Sequence, residues 1–347
     1  MQKMDMLSMT QKEWEEILKQ WGEPTFRAKQ IFDWLHKKHI TEIEDMTNIS
    51  KNLREKLKQY GVISGVKQVK KLVSQIDGTI KYLFEIEGGL VIESVLMRYH
   101  YGNTACISTQ AGCRMGCRFC ASTIDGIERN LTAGEMLAQI YEIQKDIEER
   151  ISSVVLMGSG EPLDNYDNVL RFIHLANDEK GLCLGQRHIT LSTCALVEKI
   201  YNLLEEDLQI TLAISLHAPN DEIRQSMMPV AKKYSIEEVL KACKEYSDKT
   251  KRRITFEYAL IKGVNDSDSC AQELASKLHN MLCHINLIPV NTVKERDYIK
   301  SSEERVQKFA QIIEQRGIEV TVRRKLGSDI DAACGQLRRS YQKNNKM

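Results

Sequence analysis

Net charge is almost absent from this sequence: Lys and Arg number 49, Asp and Glu 48, which leaves +1 over 347 residues. Binding to nucleic acid through bulk charge is thereby excluded, and such a partner has to be met by local basic patches. No apolar run approaches the roughly 18 residues of a membrane span. The opening MQKMDMLSMTQKEWEE places acids where a secretory leader needs its apolar stretch, so the expectation is a cytoplasmic protein with reduced thiols and no membrane partner. Repeats and low-complexity tracts are missing as well, and only the polar end SYQKNNKM reads as frayed. What is there suffices for a core: 42% of the residues are hydrophobic, which excludes chain-wide disorder. At about 150 residues per domain the length suggests roughly two domains.

Residues 1–75 read as helical. Thr10 with Glu13 and Thr41 with Glu44 form candidate capping boxes, and Trp14, Ile17, Leu18 and Trp21 recur at helical spacing. Residues 1–45 carry a net −2 and residues 46–75 a net +6, so the second part is either a phosphate-facing surface or a solvated lysine-rich helix face. From Lys81 the pattern becomes KYLFEIEGGLVIESVLM, a hairpin around Glu87-Gly88-Gly89. Beyond residue 100, strand-like runs at 104–108, 152–157, 188–193, 209–215, 253–260, 284–288 and 318–323 alternate with helical segments such as 133–149, 236–247 and 302–315. Glu135, Glu238 and Glu304 follow Thr132, Ser235 and Ser301 by three residues and mark helix starts. Such alternation predicts an α/β fold with parallel strands, either a barrel or an open sheet. The domain reading is 1–75 as an accessory helical domain, 76–100 as a hairpin extension and 101–347 as the core.

Ten cysteines are unevenly spread. Cys106, Cys113, Cys117 and Cys120 lie close together, whereas Cys183, Cys194, Cys243, Cys270, Cys283 and Cys334 are scattered. A cluster of thiols in a reducing compartment points to a metal or to catalysis. Cys113, Cys117 and Cys120 form C-x3-C-x2-C in the loop after the first core strand. A structural zinc site wants four ligands, and only His100 and Cys106, both upstream, are candidates for a fourth. Three thiolates on a four-iron cluster leave one iron open for chemistry, and Gly112, Gly116 and Ala121 let the loop wrap closely.

This spacing, with Phe119 before the last cysteine, resembles the radical S-adenosylmethionine superfamily. The resemblance implies a partial (β/α)6 barrel, a [4Fe-4S] cluster on Cys113, Cys117 and Cys120, and S-adenosylmethionine on the open iron. Met157-Gly158-Ser159-Gly160-Glu161-Pro162-Leu163 looks like the family's glycine-rich turn, in which Gly160 and Glu161 contact the cofactor's amino group. Thr190-Leu191-Ser192-Thr193, Ser215-Leu216-His217 and Asn286-Leu287-Ile288-Pro289-Val290-Asn291 continue the match, which implies cofactor contacts from Ser192, Ser215, Leu216, His217 and Asn291. Together with Asp329-Ile330-Asp331-Ala332-Ala333-Cys334-Gly335-Gln336-Leu337, with Phe26-Arg27-Ala28-Lys29-Gln30 and with Met46-Thr47-Asn48-Ile49-Ser50-Lys51, they make the sequence similar over nearly its whole length to the adenine-C2 RNA methyltransferase family (RlmN). The sister adenine-C8 group (Cfr) shares the same catalytic residues. Pro162, the stretches Cys120–Thr123 and Arg129–Thr132, and Val290–Tyr298 resemble the C2 group.

The family chemistry gives two outlying thiols a use. Carbon 2 of adenine is electron-poor and cannot attack a methyl sulfonium. The resemblance implies that Cys334 first accepts a methyl group and that a second S-adenosylmethionine supplies the radical that activates it. The carbon then joins the adenine, and Cys106 resolves the adduct through a transient disulfide with Cys334. Glu93 matches the family's proton acceptor. Without the resemblance, Cys106 and Cys334 read as core thiols and Glu93 as an exposed strand carboxylate. Cys194 is an added thiol with no assigned role, and Ser159 stands where methionine is common. The implied partners are 23S ribosomal RNA, transfer RNA and an external flavodoxin-type electron donor, with a monomer as the default. Basic residues in 46–75, Lys249 to Arg253, and 320–347, at net +5, would grip phosphates. The competing readings are a non-catalytic zinc module that binds RNA and a radical enzyme acting on another substrate.

Overall fold

A computed structural model describes residues 3–289, 298–324, 326–330 and 341. The chain opens with a short strand β1 (Met4–Asp5) and helices α1 (Gln11–Gln20), α2 (Arg27–His36) and α3 (Lys51–Tyr60), followed by β2 (Gly61–Val62), which pairs with β1 in parallel. Thr10 and Glu13 close the expected capping box on α1. Trp14 and Leu18 of α1, Ile31, Phe32 and Leu35 of α2, and Leu53 and Leu57 of α3 are buried, and they belong to the same hydrophobic core as the rest of the chain.

Strands β3 (Lys67–Val73), β4 (Ile80–Ile86) and β5 (Leu90–Tyr99) form an antiparallel meander. The β4–β5 turn needs a left-handed backbone at two successive positions, with φ of 86° at Gly88 and 73° at Gly89, and glycine supplies it without a steric cost. Strand β6 (Gly102–Cys106) returns antiparallel to β5. A small hairpin follows, made of β7 (Gln110–Gly112) and β8 (Ile127–Asn130), and then α4 (Ala133–Ile147). From there strands and helices alternate as β9 (Ile151–Leu156), α5 (Tyr166–Asn177), β10 (Ile189–Thr193), α6 (Val197–Glu205) and β11 (Thr211–Ser215). The series continues with α7 (Asp221–Met227), α8 (Ile236–Thr250), β12 (Ile254–Leu260), α9 (Asp268–Leu278), β13 (Cys283–Pro289), α10 (Glu303–Glu314) and β14 (Glu319–Val322).

The large sheet has the order β14-β13-β12-β11-β10-β9-β6-β5-β4-β3. Its strands from β6 to β14 are all parallel, giving six strand-helix units and a seventh strand, the α/β arrangement expected of a partial barrel. Among the described residues no pairing joins β14 to β3. Ile214, Phe256 and Ile285 lie side by side in the register and are fully buried. Side chains one residue away, among them Ser215, Glu257 and Asn286, point to the opposite face. Among the described residues no helix is long and apolar enough to cross a membrane.

The helical reading of the first 75 residues fails after Tyr60. Residues 67–73 are a strand, because β4 offers an edge that Val69 and Leu72 can cover. Lysines on such an edge strand oppose pairing with another sheet. Thr41 and Glu44 form no capping box: Glu42 precedes a single 3-10 turn with no side-chain cap. On α10 the cap is Ser302, while Ser301 Oγ donates to Asp266 Oδ2 at 2.7 Å. The boxes at Thr132–Glu135 and Ser235–Glu238 form as expected.

Candidate active site

The cysteine triplet lies between β7 and β8. Gly112 has φ 80°, and a Cβ there would meet Gly126 O at 2.1 Å, so no other residue fits. The Cys113 N–H donates to the same Gly126 O at 2.9 Å. Thr123 Oγ1 meets the carbonyls of Cys117 and Cys120 at 3.0 Å each, and the Arg118 N–H donates to Met227 O of α7 at 2.9 Å. The loop is thus held by its own backbone and by a neighbouring helix. Cys113 and Cys117 are buried and Cys120 half-buried. Burial, with the charge of neighbouring cysteines added, pushes the Cys113 thiol up to about 12 and Cys117 well above its ordinary value. Thiols held this way ionise when a metal takes up their charge. Among the described residues no three His, Cys, Asp or Glu side chains converge as ligands of one ion. Thiolates bound to separate irons of a cluster need no such convergence.

The glycine-rich turn after β9 presses on the segment leading into that loop. The Gly158 N–H donates to Ile107 O at 3.0 Å, and a Cβ at 158 would lie 2.6 Å from that oxygen. At Gly160, φ is 114° and a Cβ would lie 2.7 Å from Gln110 N. Ser159 has a purpose: its carbonyl accepts from the N–H groups of Thr109 and Gln110, and its hydroxyl meets Ser122 Oγ at 3.2 Å, tying the turn to the cysteine loop. The buried Glu161 carboxylate accepts from Leu163 N at 3.0 Å and from Cys194 N at 2.8 Å. Burial raises its pKa against these donors, and an ammonium group would relieve that cost. Cys194 thereby acquires a place, with its backbone on Glu161 and its side chain packed in one cluster with Cys117, Met227 and Met228.

The strand ends expected to hold a cofactor share a single face. Across the register, Ser192 lies beside Ala213, Ser215 beside Glu257, Glu257 beside Asn286, and Asn286 beside Thr321. Asn286 Nδ2 donates to Glu257 Oε2 at 2.8 Å. Burial raises the pKa of Glu257, and Arg323 opposes the rise. Sequence reasoning missed Glu257, although an acid inside the apolar run ITFEYAL was a signal. The backbone N–H groups of Leu216 and His217 both donate to Glu257 O, at 3.1 and 3.2 Å. His217 has φ 59°, and its Nδ1 accepts from Ala259 N at 2.9 Å, so its ring proton is on Nε2. Burial, assisted by Arg224, pulls its pKa down to about 3, and the ring stays neutral. Phe119 of the cysteine motif packs edge-on against it at 4.7 Å. Asn291 lies outside the described residues.

The same face continues across the antiparallel strands. One row of register partners runs Lys81, Val95, Cys106, Val155, Thr190, Thr211. Glu93 stands two residues from Val95 and so on the same side. Lys81 Nζ and Glu93 Oε2 form an ion pair at 3.3 Å with both side chains buried, and Ser108 Oγ donates to Glu93 O at 2.6 Å. Leu326 packs on Val95, Met97 and Cys106, and Tyr341 on Leu83 and Val91. Asp329 accepts from Ser74 Oγ at 2.7 Å and Gln75 N at 2.9 Å, and the Gly327 N–H donates to Asp77 Oδ2 at 2.8 Å. Cys334 lies outside the described residues, but the residues on either side of 331–340 rest on the face that carries Cys106 and Glu93.

Residues 107–272 match the Radical SAM superfamily, and residues 4–63 match the ribosomal RNA large subunit methyltransferase N-terminal domain. The chain is 58% identical over 341 residues to the probable dual-specificity RNA methyltransferase RlmN of Clostridium novyi (strain NT), covering 98% of this chain and 99% of the relative. It is 59% identical over 344 residues to the protein of the same name from Alkaliphilus oremlandii (strain OhILAs), covering 99% and 100%. The crystal structure of a radical SAM methyltransferase from Sphaerobacter thermophilus superposes with a TM-score of 0.91 at 43% identity, covering 96% of this chain and 98% of that one. Full-length identity, the matched N-terminal domain and the shared fold agree that the chain belongs to the RlmN family of radical SAM methyltransferases.

Proposed function

We propose that this chain methylates carbon 2 of adenosine in two kinds of RNA, the peptidyl-transferase loop of 23S ribosomal RNA and the position 3′ of the anticodon in transfer RNAs. The dual-specificity RNA methyltransferases that align with it from end to end support two substrates. One observation carries the mechanism: Glu93 and Cys106 share a buried sheet face on which both flanks of the segment bearing Cys334 are packed.

The superfamily's cofactors are a [4Fe-4S] cluster and S-adenosylmethionine. Cys113, Cys117 and Cys120 would hold the cluster, and Gly160, Glu161, Ser192, Ser215, Leu216, His217 and Asn291 would hold S-adenosylmethionine. Bound there, the pair supplies the one-electron chemistry that activates an otherwise inert C–H bond. The protein does the rest. Cys334, as a thiolate, carries the methyl group and becomes covalently joined to adenine through that carbon. The Glu93 carboxylate, oriented by Lys81, takes the proton lost from carbon 2, and the unpaired electron left on the adduct would be taken up by the one-electron chemistry that the bound cofactors supply. The Cys106 thiolate attacks the Cys334 sulfur, so that an S–S bond forms as the S–C bond breaks, and the released carbon takes up a proton to become the methyl. External thiols then reduce the disulfide.

The adenine is drawn out of its stack, most cheaply from a single-stranded loop. Phosphates would meet exposed basic residues such as Lys51 and Lys70, with Arg323 and Arg324 beside the thiol face. Lys56, Lys58 and Lys71 contribute less, because each is engaged by an acid, Glu23, Glu44 and Asp146 respectively. The enzyme would act as a cytoplasmic monomer fed by a flavodoxin-type electron donor. Nucleoside mass spectrometry after anaerobic incubation of the iron-loaded protein with S-adenosylmethionine, reductant and each RNA tests the assignment. 2-Methyladenosine from both RNAs is expected. 8-Methyladenosine would move the protein to the sister group, and no methylated adenosine from an enzyme that cleaves S-adenosylmethionine would reject the RNA substrates.

A further inference from the structure

Arg224 is a buried charge in need of a partner. Arg98, Arg114, Arg129, Arg171, Arg253 and Arg305 each meet a carboxylate, and among the described residues Arg224 meets none. Its side chain is fully buried. Nη2 donates to Cys194 O at 2.9 Å and Nη1 to Tyr234 O at 3.3 Å, both neutral carbonyls, and among the described residues Nε has no partner. A guanidinium keeps its proton in proteins, and a buried ion without a counter-charge is expensive.

Its surroundings indicate where that counter-charge belongs. Burial works against its charge, and the ionisable groups placed to oppose that are first Cys194 and Cys117, then Asp221 and Cys243. Met227, on the same helix, accepts from the Arg118 N–H of the cysteine loop, and Met227 and Met228 pack on Cys117. The Cys194 peptide extends the contact: its carbonyl accepts from Arg224, while its N–H donates to Glu161 Oε2. Guanidinium, peptide and carboxylate form one chain from α7 to the glycine-rich turn.

We propose that Arg224 is the counter-charge of the iron–sulfur cluster, a positioning residue that favours the cluster's reduced state. Three thiolates outweigh the positive charge of an oxidised cluster core, and the incoming electron makes the site more negative still. A fixed cation in a poorly solvated setting therefore stabilises the reduced form more than the oxidised one. No bond changes at Arg224, and the electron comes from the external donor. The inference rests on Cys113, Cys117 and Cys120 holding the cluster.

The test is an anaerobic redox titration of iron-loaded protein without RNA, comparing the wild type with Arg224→Lys, Arg224→Gln and Arg224→Met. At a fixed potential the ratio of reduced to oxidised cluster should fall at least tenfold in the Met and Gln variants, a midpoint 59 mV or more lower for one electron. Lysine should restore most of the loss. Should the Met variant fail to fold, the Gln and Lys pair carries the comparison. Equal midpoints in the wild type and the uncharged variants, or a Lys variant as low as Gln, would overturn the inference. Iron content is read separately: a Cys113→Ala variant that keeps full iron and absorbance would reject the ligand assignment, and this inference with it.

Discussion

Cys106 lies in an apolar strand and is almost fully covered, an environment in which a thiol is ordinarily inert. Its neighbours argue for a different use. Val95 alone separates it in the register from Lys81, and the Lys81–Glu93 pair is the charged feature of an otherwise apolar patch. Removing one partner of such a pair leaves an uncompensated buried charge, at about 3–5 kcal/mol. Lys81→Met should therefore lower the urea midpoint of unfolding, and the double variant Lys81→Met/Glu93→Gln should recover much of it. Additive losses in that cycle would mean that the two residues do not depend on each other. Gly112 makes a second prediction at this scale. Because a Cβ there collides with the Gly126 carbonyl, Gly112→Ala should lose iron on reconstitution while helix content is kept; normal iron loading would show that the loop tolerates the shift. Glu93, Cys106 and Cys334 were selected from the sequence only through the family resemblance. Their side chains carry no local signal, since only the pairing of β5 with β6 brings the first two onto one face. Arg224 went unread for the same reason, whereas Glu257 did carry a signal, an acid inside the apolar run ITFEYAL.

Among the elements, α2 and α4 join the N-terminal helices to the core. His36 Nδ1 meets Tyr141 OH at 2.9 Å, and His39 stacks on the same tyrosine at 4.0 Å. Burial, with the nearby His39 adding to it, pulls the His36 pKa from 6.5 down to about 3. The unfolded chain therefore binds this proton before the folded one does, so the contribution is complete above pH 6.5 and is lost as pH falls toward 3. Urea unfolding followed between pH 7 and pH 4 should show the wild type losing more stability than His36→Gln over that window; parallel slopes would refute the assignment. The core strands were legible because β-formers and helical periods alternate strongly, and observed strands and expected runs agree within two residues at their starts. Residues 67–73 were not, because KQVKKLV has too few apolar positions to declare a period. It is a strand because β4 is beside it.

For the whole molecule, one sheet face unites what the chain disperses. Lys81, Glu93, Cys106, Ser192, Ser215, Glu257 and Asn286 come from seven strands and face the same side. The cysteine loop and the glycine-rich turn close over the ends of the parallel strands, where enzymes of this architecture keep their chemistry. Composition alone could say only that no bulk charge drives RNA binding. The fold adds that part of the basic surface is neutralised by its own acids, so the RNA grip is distributed and should weaken steeply with salt. Filter binding of a 23S fragment between low and physiological salt should show that fall, and salt-independent binding would contradict it.

The central claim is that Cys334 and the Cys106 thiol of this face act in sequence on one adenine. Intact-mass and peptide mass spectrometry of the Cys106→Ala variant, incubated anaerobically with S-adenosylmethionine, reductant and RNA, tests it most directly. A covalent protein–RNA adduct on the peptide containing Cys334 is predicted, with methylated adenosine falling at least a hundredfold. Methylated RNA at the wild-type yield, with no adduct, would contradict the account.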